Sequence, residues 1–326
     1  GNSWKKIINI LNNNILNKLN SKISFNGRQI LDSRGNPTLE VDVLYNNKLI
    51  SREACPSGSS TGSNEAIELR DNNNEYSGKS VKKAIENVEK IVKNIKPTYD
   101  LLINQINFDK KLCELDGTDL KNNLGCNTTT AVSFASASAS ANLLNMELFE
   151  YFHEIYNKNN RYTIPTPMVN ILNGGKHAGG NLKIQEFMII PNENWSFKDK
   201  LHNITKVYKK LGKILVKKYG ISSKNLGDEG GFAPQLDNAY DALSVIEESI
   251  HDSGFVSGKD IFLALDCAAN EFYDCEKKLY EIENGVFLTN IELVEYYKKL
   301  IHNYPALISI EDGINELDNI AWKLFR

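Results

Sequence analysis

Along the segment from Leu39 to Tyr45, apolar side chains occupy every second position and alternate mainly with polar ones. A period of two is typical of a β-strand with one buried face. The pair Asn46-Asn47 follows, and the chain continues into a second short run, Lys48–Ala54. A strand, a two-residue turn of asparagines and another strand together predict a β-hairpin.

After this hairpin the apolar spacing becomes helical. Between Val81 and Ile95 the apolar residues recur every three or four positions, and Pro97 marks the end of the run. The stretch Thr128–Leu144 is rich in alanine and serine, which suits a helix that packs closely on its neighbours. We therefore predict a small α+β domain over residues 22–150.

Short apolar runs alternate with long helical patterns in the second half of the chain. They predict strands at 167–172, 187–190, 261–265 and 306–310, and helices at 201–219, 239–250 and 291–302. The alternation favours a parallel sheet, with an α/β (TIM-like) barrel as the leading architecture for residues 151–326. Such barrels use at least about 200 residues. We therefore expect the barrel to be incomplete in this chain.

Residues 1–21 precede both predicted domains and have a basic, amphipathic pattern. Apolar residues fall at helical spacing between Trp4 and Leu19, and no acidic residue occurs before Asp32. An acid-free amphipathic start resembles an organelle transit peptide. The alternative, which we favour, is an accessory helix in a chain rich in lysine and asparagine.

Composition narrows the class of protein. The chain has 326 residues, is 41% hydrophobic and carries a formal net charge of −3, which argues against nucleic acid or a membrane as its main partner. No apolar run reaches the roughly 18 residues that a membrane span needs. The five cysteines are scattered and form no CxxC pair, so a reducing compartment, the cytoplasm, fits best.

Two predicted strands end in carboxylates. Asp266 follows the run Ile261–Leu265, and Glu311 follows the run that ends at Ile310. Catalytic groups of a parallel barrel lie where its strands end, and paired carboxylates suit Mg²⁺. On this pattern alone, a metal site and simple acidic strand caps are equally good interpretations. A metal site also needs a third ligand from a further strand.

Four further segments carry candidate chemistry, although each is a weak signal alone. Two are glycine-rich: Gly227–Gly231 encloses two acids, and Asn173–Gly180 holds His177. Gln185 and Glu186 open a predicted strand, so Glu186 could face the same site. The segment Pro56–Gly62 could close over a site as a lid, but it lacks the lysine of a P-loop.

The order of these segments resembles one family, the enolases, from about Ser24 to Trp322. The matching motifs are Asp32–Thr38, Ser57–Gly62, Glu65–Asp71, Leu115–Thr118, Asn173–Gly180, Gln185–Met188, Gly227–Gly231, Leu265–Ala268 and Ser309–Gly313. The resemblance implies an enolase-type α+β domain followed by a barrel, and a Mg²⁺-dependent lyase of glycolysis that interconverts 2-phosphoglycerate and phosphoenolpyruvate. It also implies a cytoplasmic homodimer with a small-molecule substrate.

The resemblance assigns roles to seven residues. Glu229 is the general acid, and Glu186 shares the hydroxyl and its proton. Asp266 and Glu311 bind the tighter Mg²⁺, Ser60 binds a second one, and the substrate contacts His177, Gln185, Glu186 and Glu311.

The family's lysine base, third metal carboxylate and phosphate-binding segment lie beyond the matched region. We therefore keep a second hypothesis, a truncated and inactive enolase-like protein with a binding or interaction role. Another acid–sugar dehydratase on the same barrel is a third hypothesis, and the motifs Asn173–Gly180 and Ser57–Gly62 argue against it.

Overall fold

A computed structural model describes residues 22–58, 62–156, 161–227 and 229–326. The chain divides into two compact units, Gly1–Arg161 and Tyr162–Arg326. The predicted N-terminal extension, residues 1–21, lies outside the described residues.

The first unit is built on a three-stranded antiparallel sheet. Its strands are β1 (Ile23–Leu31), β2 (Pro37–Tyr45) and β3 (Lys48–Ala54), in the order β1-β2-β3. The predicted hairpin is confirmed, because β2 and β3 pair antiparallel around Asn46 and Asn47. Both asparagines have positive φ, 52° and 64°, as a tight hairpin turn of this kind requires.

Helices cover one face of this sheet. They are α1 (Lys82–Ile95), α2 (Tyr99–Leu102), α3 (Gln105–Asp116), α4 (Cys126–Leu144) and α5 (Leu148–Tyr156). Predicted helices α1 and α4 are confirmed, and α1 ends where Lys96 adopts a left-handed conformation before Pro97. The alternating residues Leu39, Val41 and Val43 are fully buried in the core beneath the helices.

The second unit contains an open four-stranded sheet. Its strands are β4 (Val169–Asn173), β5 (Glu186–Pro191), β6 (Ile261–Asp266) and β10 (Leu307–Glu311), in the order β10-β6-β5-β4. Strands β7 (Tyr273–Asp274), β8 (Leu279–Glu283) and β9 (Val286–Leu288) form a small separate sheet. The helices are α6 (Gly175–Ala178), α7 (Phe197–Tyr219), α8 (Ala239–Asp252), α9 (Asn290–Asn303) and α10 (Asn319–Phe325).

The expectation of a parallel sheet is wrong for one of the four strands. Strand β5 runs antiparallel to both of its neighbours, β4 and β6, whereas β4, β6 and β10 run in the same direction. The number of long helices between two strands explains the difference. A single long helix, α9, lies between β6 and β10 and returns the chain to its starting edge. Two long helices, α7 and α8, lie between β5 and β6, so the chain enters β6 in the direction opposite to β5. Only a loop with the single-turn α6 joins β4 to β5, so these two strands are also antiparallel.

Candidate active site

Four polar residues lie side by side across the sheet of the second unit. Asn173 pairs with Glu186, Glu186 with Asp266, and Asp266 with Glu311. Residues paired in register project from the same face of a sheet, with Cβ atoms about 5 Å apart. One edge of the sheet therefore presents an amide followed by three carboxylates.

The reversed direction of β5 is what brings Glu186 into this row. Asp266 and Glu311 are the last residues of β6 and β10, whereas Glu186 is the first residue of β5. The first residue of a strand reaches the carboxyl edge of its neighbours only when the strand runs antiparallel to them. The sequence prediction that Glu186 shares the site of Asp266 therefore depends on a strand direction opposite to the predicted one.

A histidine and a further carboxylate stand beside Glu186. Nδ1 of His177 lies 3.9 Å from Oε1 of Glu186 and 3.6 Å from Oε1 of Glu229. The three side chains bring one nitrogen and two oxygens within 4.8 Å of one another. His177 is almost completely buried, whereas the Glu229 side chain is 42% exposed. Glu229 is thus the member of this group that faces solvent.

Glu229 lies between two glycines, Gly227 and Gly231, whose backbones are hydrogen-bonded to each other. The N–H of Gly227 donates to the carbonyl oxygen of Gly231 at 2.8 Å, which closes the loop. Nδ2 of Asn170 donates to Oε2 of Glu229 at 3.2 Å, so an amide from β4 holds the carboxylate.

The burial and close grouping of the carboxylates shift their pKa values. Burial, reinforced by Glu229, Asp266 and Glu311, raises the pKa of Glu186 to about 8. The pKa of Glu229 is lowered, chiefly by its hydrogen bond with Glu186. Burial is also the main cause that raises the pKa of Asp266 to about 6, with Glu311 adding to it. Glu186 therefore holds the proton of the Glu186–Glu229 pair at neutral pH.

Comparisons with known proteins point to one family. The model of the enolase N-terminal domain matches residues 23–152, and that of the enolase C-terminal TIM barrel domain matches residues 161–326. The chain belongs to the enolase family. It is 44% identical over 291 residues to the enolase of Thermococcus kodakarensis, across 89% of this chain and 66% of that relative. The chain thus spans just under two thirds of the length of that enolase.

The row of carboxylates fits the Mg²⁺ that enolases use. Asp266 and Glu311 are cross-strand neighbours at the edge of the sheet, and each offers carboxylate oxygens of the kind that Mg²⁺ prefers. Burial and, to a smaller extent, nearby carboxylates raise the pKa of Asp266 and of Glu186, and a bound cation would relieve the repulsion among these carboxylates. The residues present are therefore suited to hold a divalent cation.

The structure brings together five of the seven predicted site residues: His177, Glu186, Glu229, Asp266 and Glu311. Gln185 is buried next to Glu186, and its Oε1 finds no hydrogen-bond partner among the residues that the structure describes. Ser60, the predicted ligand of a second Mg²⁺, lies outside the described residues, as does Asp228.

The sequence analysis did not single out Asn170, and it treated Asn173 only as the start of a glycine loop. A signal was present, because both are polar residues within the apolar strand Val169–Asn173. A polar residue in a buried strand is informative, since its polar atoms need partners.

Across the described part of the chain, no helix is long and apolar enough to cross a membrane.

Proposed function

We propose that this chain provides the metal-binding and proton-donating parts of an enolase site, which interconverts 2-phosphoglycerate and phosphoenolpyruvate. The observation that carries the proposal is the register of Glu186, Asp266 and Glu311 across three strands, with Glu229 beside Glu186. Family membership supports the choice of reaction, and the carboxylate row supports the assignment of residues.

Asp266 and Glu311 hold Mg²⁺ in this proposal, and Ser60 binds a second ion. When bound, Mg²⁺ neutralises the negative charge that develops on the substrate carboxylate as the neighbouring proton leaves. His177, Gln185, Glu186 and Glu311 contact the substrate.

Glu229 and Glu186 act on the leaving hydroxyl group. Hydroxide is a poor leaving group, so a positioned acid has to protonate it as the carbon–oxygen bond breaks. The pair holds one proton near neutral pH, on Glu186, because burial and the neighbouring carboxylate of Glu229 disfavour ionisation of Glu186. Glu186 holds this proton at rest and passes it to Glu229. Glu229 then donates it to the leaving hydroxyl group.

No residue within 1–326 matches the lysine that acts as the base in the family. Our proposal therefore concerns substrate binding, metal binding and proton donation. A homodimer and a cytoplasmic location are part of the same proposal, and both are supported by family membership alone.

The experiment that tests the proposal is calorimetric titration of the chain with 2-phosphoglycerate, with and without Mg²⁺. We expect binding that requires Mg²⁺ and is lost in Asp266→Asn and Glu311→Gln. The matched control is Glu276→Gln, because Glu276 is an exposed acid in the turn between β7 and β8. Binding of equal strength without Mg²⁺, or binding that both substitutions leave intact, would contradict the proposal.

A further inference from the structure

We infer that Asn170 and Asn173 of β4 form an asparagine clamp that positions Glu229 for proton donation. The clamp consists of these two side chains and the residues Gly227, Glu229 and Gly231 that they contact. The inference rests on the proposed function, because it assigns positioning residues to that same site.

A β-bulge puts the two asparagines on one face of the sheet. They are three positions apart, and in a regular strand such residues project from opposite faces. The pairing of β4 with β5 shifts register between Asn170 and Leu172, so Ile171 has no partner across the strand pair. A bulge of this kind turns a side chain to the other face, and bulges are frequent next to active sites.

Asn170 holds the carboxylate of Glu229 directly. Its Nδ2 donates to Oε2 of Glu229 at 3.2 Å. An amide suits this place because it fixes a carboxylate without neutralising it and without exchanging a proton with it. A lysine at this position would neutralise negative charge that the site needs for a divalent cation.

The side chain of Asn173 packs closely against two glycines of the loop. A Cβ on Gly231 would lie 2.2 Å from Oδ1 of Asn173, and a Cβ on Gly227 would lie 2.9 Å from the same atom. Only residues without a side chain can come this close. The N–H of Asn173 also donates to the carbonyl oxygen of Phe232 at 2.8 Å, which ties the end of the loop to β4.

The buried amide of Asn173 is consistent with a role at the site. Asn173 is fully buried, and neither amide atom has a hydrogen-bond partner among the residues that the structure describes. An unpaired buried polar group destabilises a fold, so a core position without a function would favour an apolar side chain. Asn173 is also the one member of the row formed with Glu186, Asp266 and Glu311 that has no carboxyl group.

The test compares Asn170→Ala, Asn170→Asp and Asn173→Ala with a matched control, Asn181→Asp. In the control, Nδ2 of Asn181 donates to Oδ1 of Asp237 at 2.8 Å, so the substitution removes the same kind of bond at another place in the unit. Hydrogen–deuterium exchange of the amides of Gly227–Gly231 is measured in the 326-residue chain. We expect exchange about tenfold faster in Asn170→Asp, where two carboxylates repel each other, and no change in the control.

A kinetic measurement separates positioning from general stability. In a form of the protein that converts 2-phosphoglycerate, Asn170→Ala should lower kcat about tenfold and leave KM and the Mg²⁺ affinity within about twofold. A fall in kcat together with a rise in KM and a fall in melting temperature would indicate a structural role and overturn the inference. Unchanged loop exchange in Asn170→Asp would also overturn it. If no form of the protein converts 2-phosphoglycerate, the proposed function fails, while the exchange result still decides whether the clamp exists.

Discussion

Glu186 and Asp266 are paired across two antiparallel strands, one as the first residue of β5 and the other as the last residue of β6. This pairing joins the two halves of the site. On one side of Glu186 stand His177 and Glu229, the proposed general acid. On the other side stand Asp266 and Glu311, the proposed Mg²⁺ ligands. Glu186 is the residue through which the two groups affect each other.

Mg²⁺ binding should depend on pH because it requires ionised carboxylates. The pKa of Asp266 is raised to about 6, so this carboxyl is protonated below that pH in the metal-free chain. A proton then competes with the metal ion, and the apparent Kd for Mg²⁺ should rise roughly tenfold for each pH unit below about 6. Calorimetry across this range measures the effect. A Kd that stays constant to about pH 5 would contradict the combination of a raised pKa and a ligand role for Asp266.

Glu186→Gln should stabilise the metal-free fold at alkaline pH. The pKa of Glu186 is raised from 4.5 to about 8, so the folded chain holds a proton that the unfolded chain has lost. This contribution to stability is fully present below about pH 4.5 and is lost as the pH rises through about 8. Glutamine does not titrate and avoids the loss.

Melting temperatures measured in the presence of a chelator test this prediction. The variant and the unsubstituted chain should melt at similar temperatures near pH 5, and the variant should melt higher near pH 9. A difference that is constant over this range would contradict the raised pKa of Glu186.

Glu229→Gln should abolish most of the turnover while the fold and metal site remain. Glutamine keeps the shape of the side chain and its contact with Asn170, but it cannot donate the proton. Loss of a general acid lowers rates by about 10²–10⁴-fold. The measurement is formation of phosphoenolpyruvate from 2-phosphoglycerate, followed by absorbance at saturating Mg²⁺. The assay uses a form of the protein that converts 2-phosphoglycerate, because the family's base matches no residue within 1–326. Near-normal turnover would refute the assignment of Glu229.

Two neighbouring glycines of the Glu229 loop should respond differently to alanine. A Cβ on Gly231 would overlap Oδ1 of Asn173 at 2.2 Å, whereas a Cβ on Gly230 meets nothing within 4 Å. Gly230 has a φ of +83°, so alanine there brings backbone strain of about 1 kcal/mol. Gly231→Ala should be destabilised by more, about 2–3 kcal/mol, because buried atoms have to move. Urea unfolding of both variants measures the difference, and equal stabilities would argue against close packing of Gly231 on Asn173.

The sequence contained enough information for most elements and for the candidate residues, but not for strand direction. The alternation in β2 and the asparagine turn specify the first hairpin, because both are local features. The direction of β5 depends on how many helices pack between strands, which is a property of tertiary packing. The Asn170–Glu229 contact could not be predicted from the sequence either. It joins residues far apart in the chain and depends on a bulge that leaves no local sequence pattern.

The most direct test of the account is a calorimetric titration of the 326-residue chain with Mg²⁺ alone, near neutral pH. The central claim is that carboxylates from neighbouring strands form one metal site at the edge of the sheet. We expect the tighter Mg²⁺ site to lose affinity by at least about tenfold in Asp266→Asn and in Glu311→Gln, and to be unchanged in Glu276→Gln. Equal Mg²⁺ affinity in all four proteins would contradict the account, because the carboxylate row would then not be a metal site.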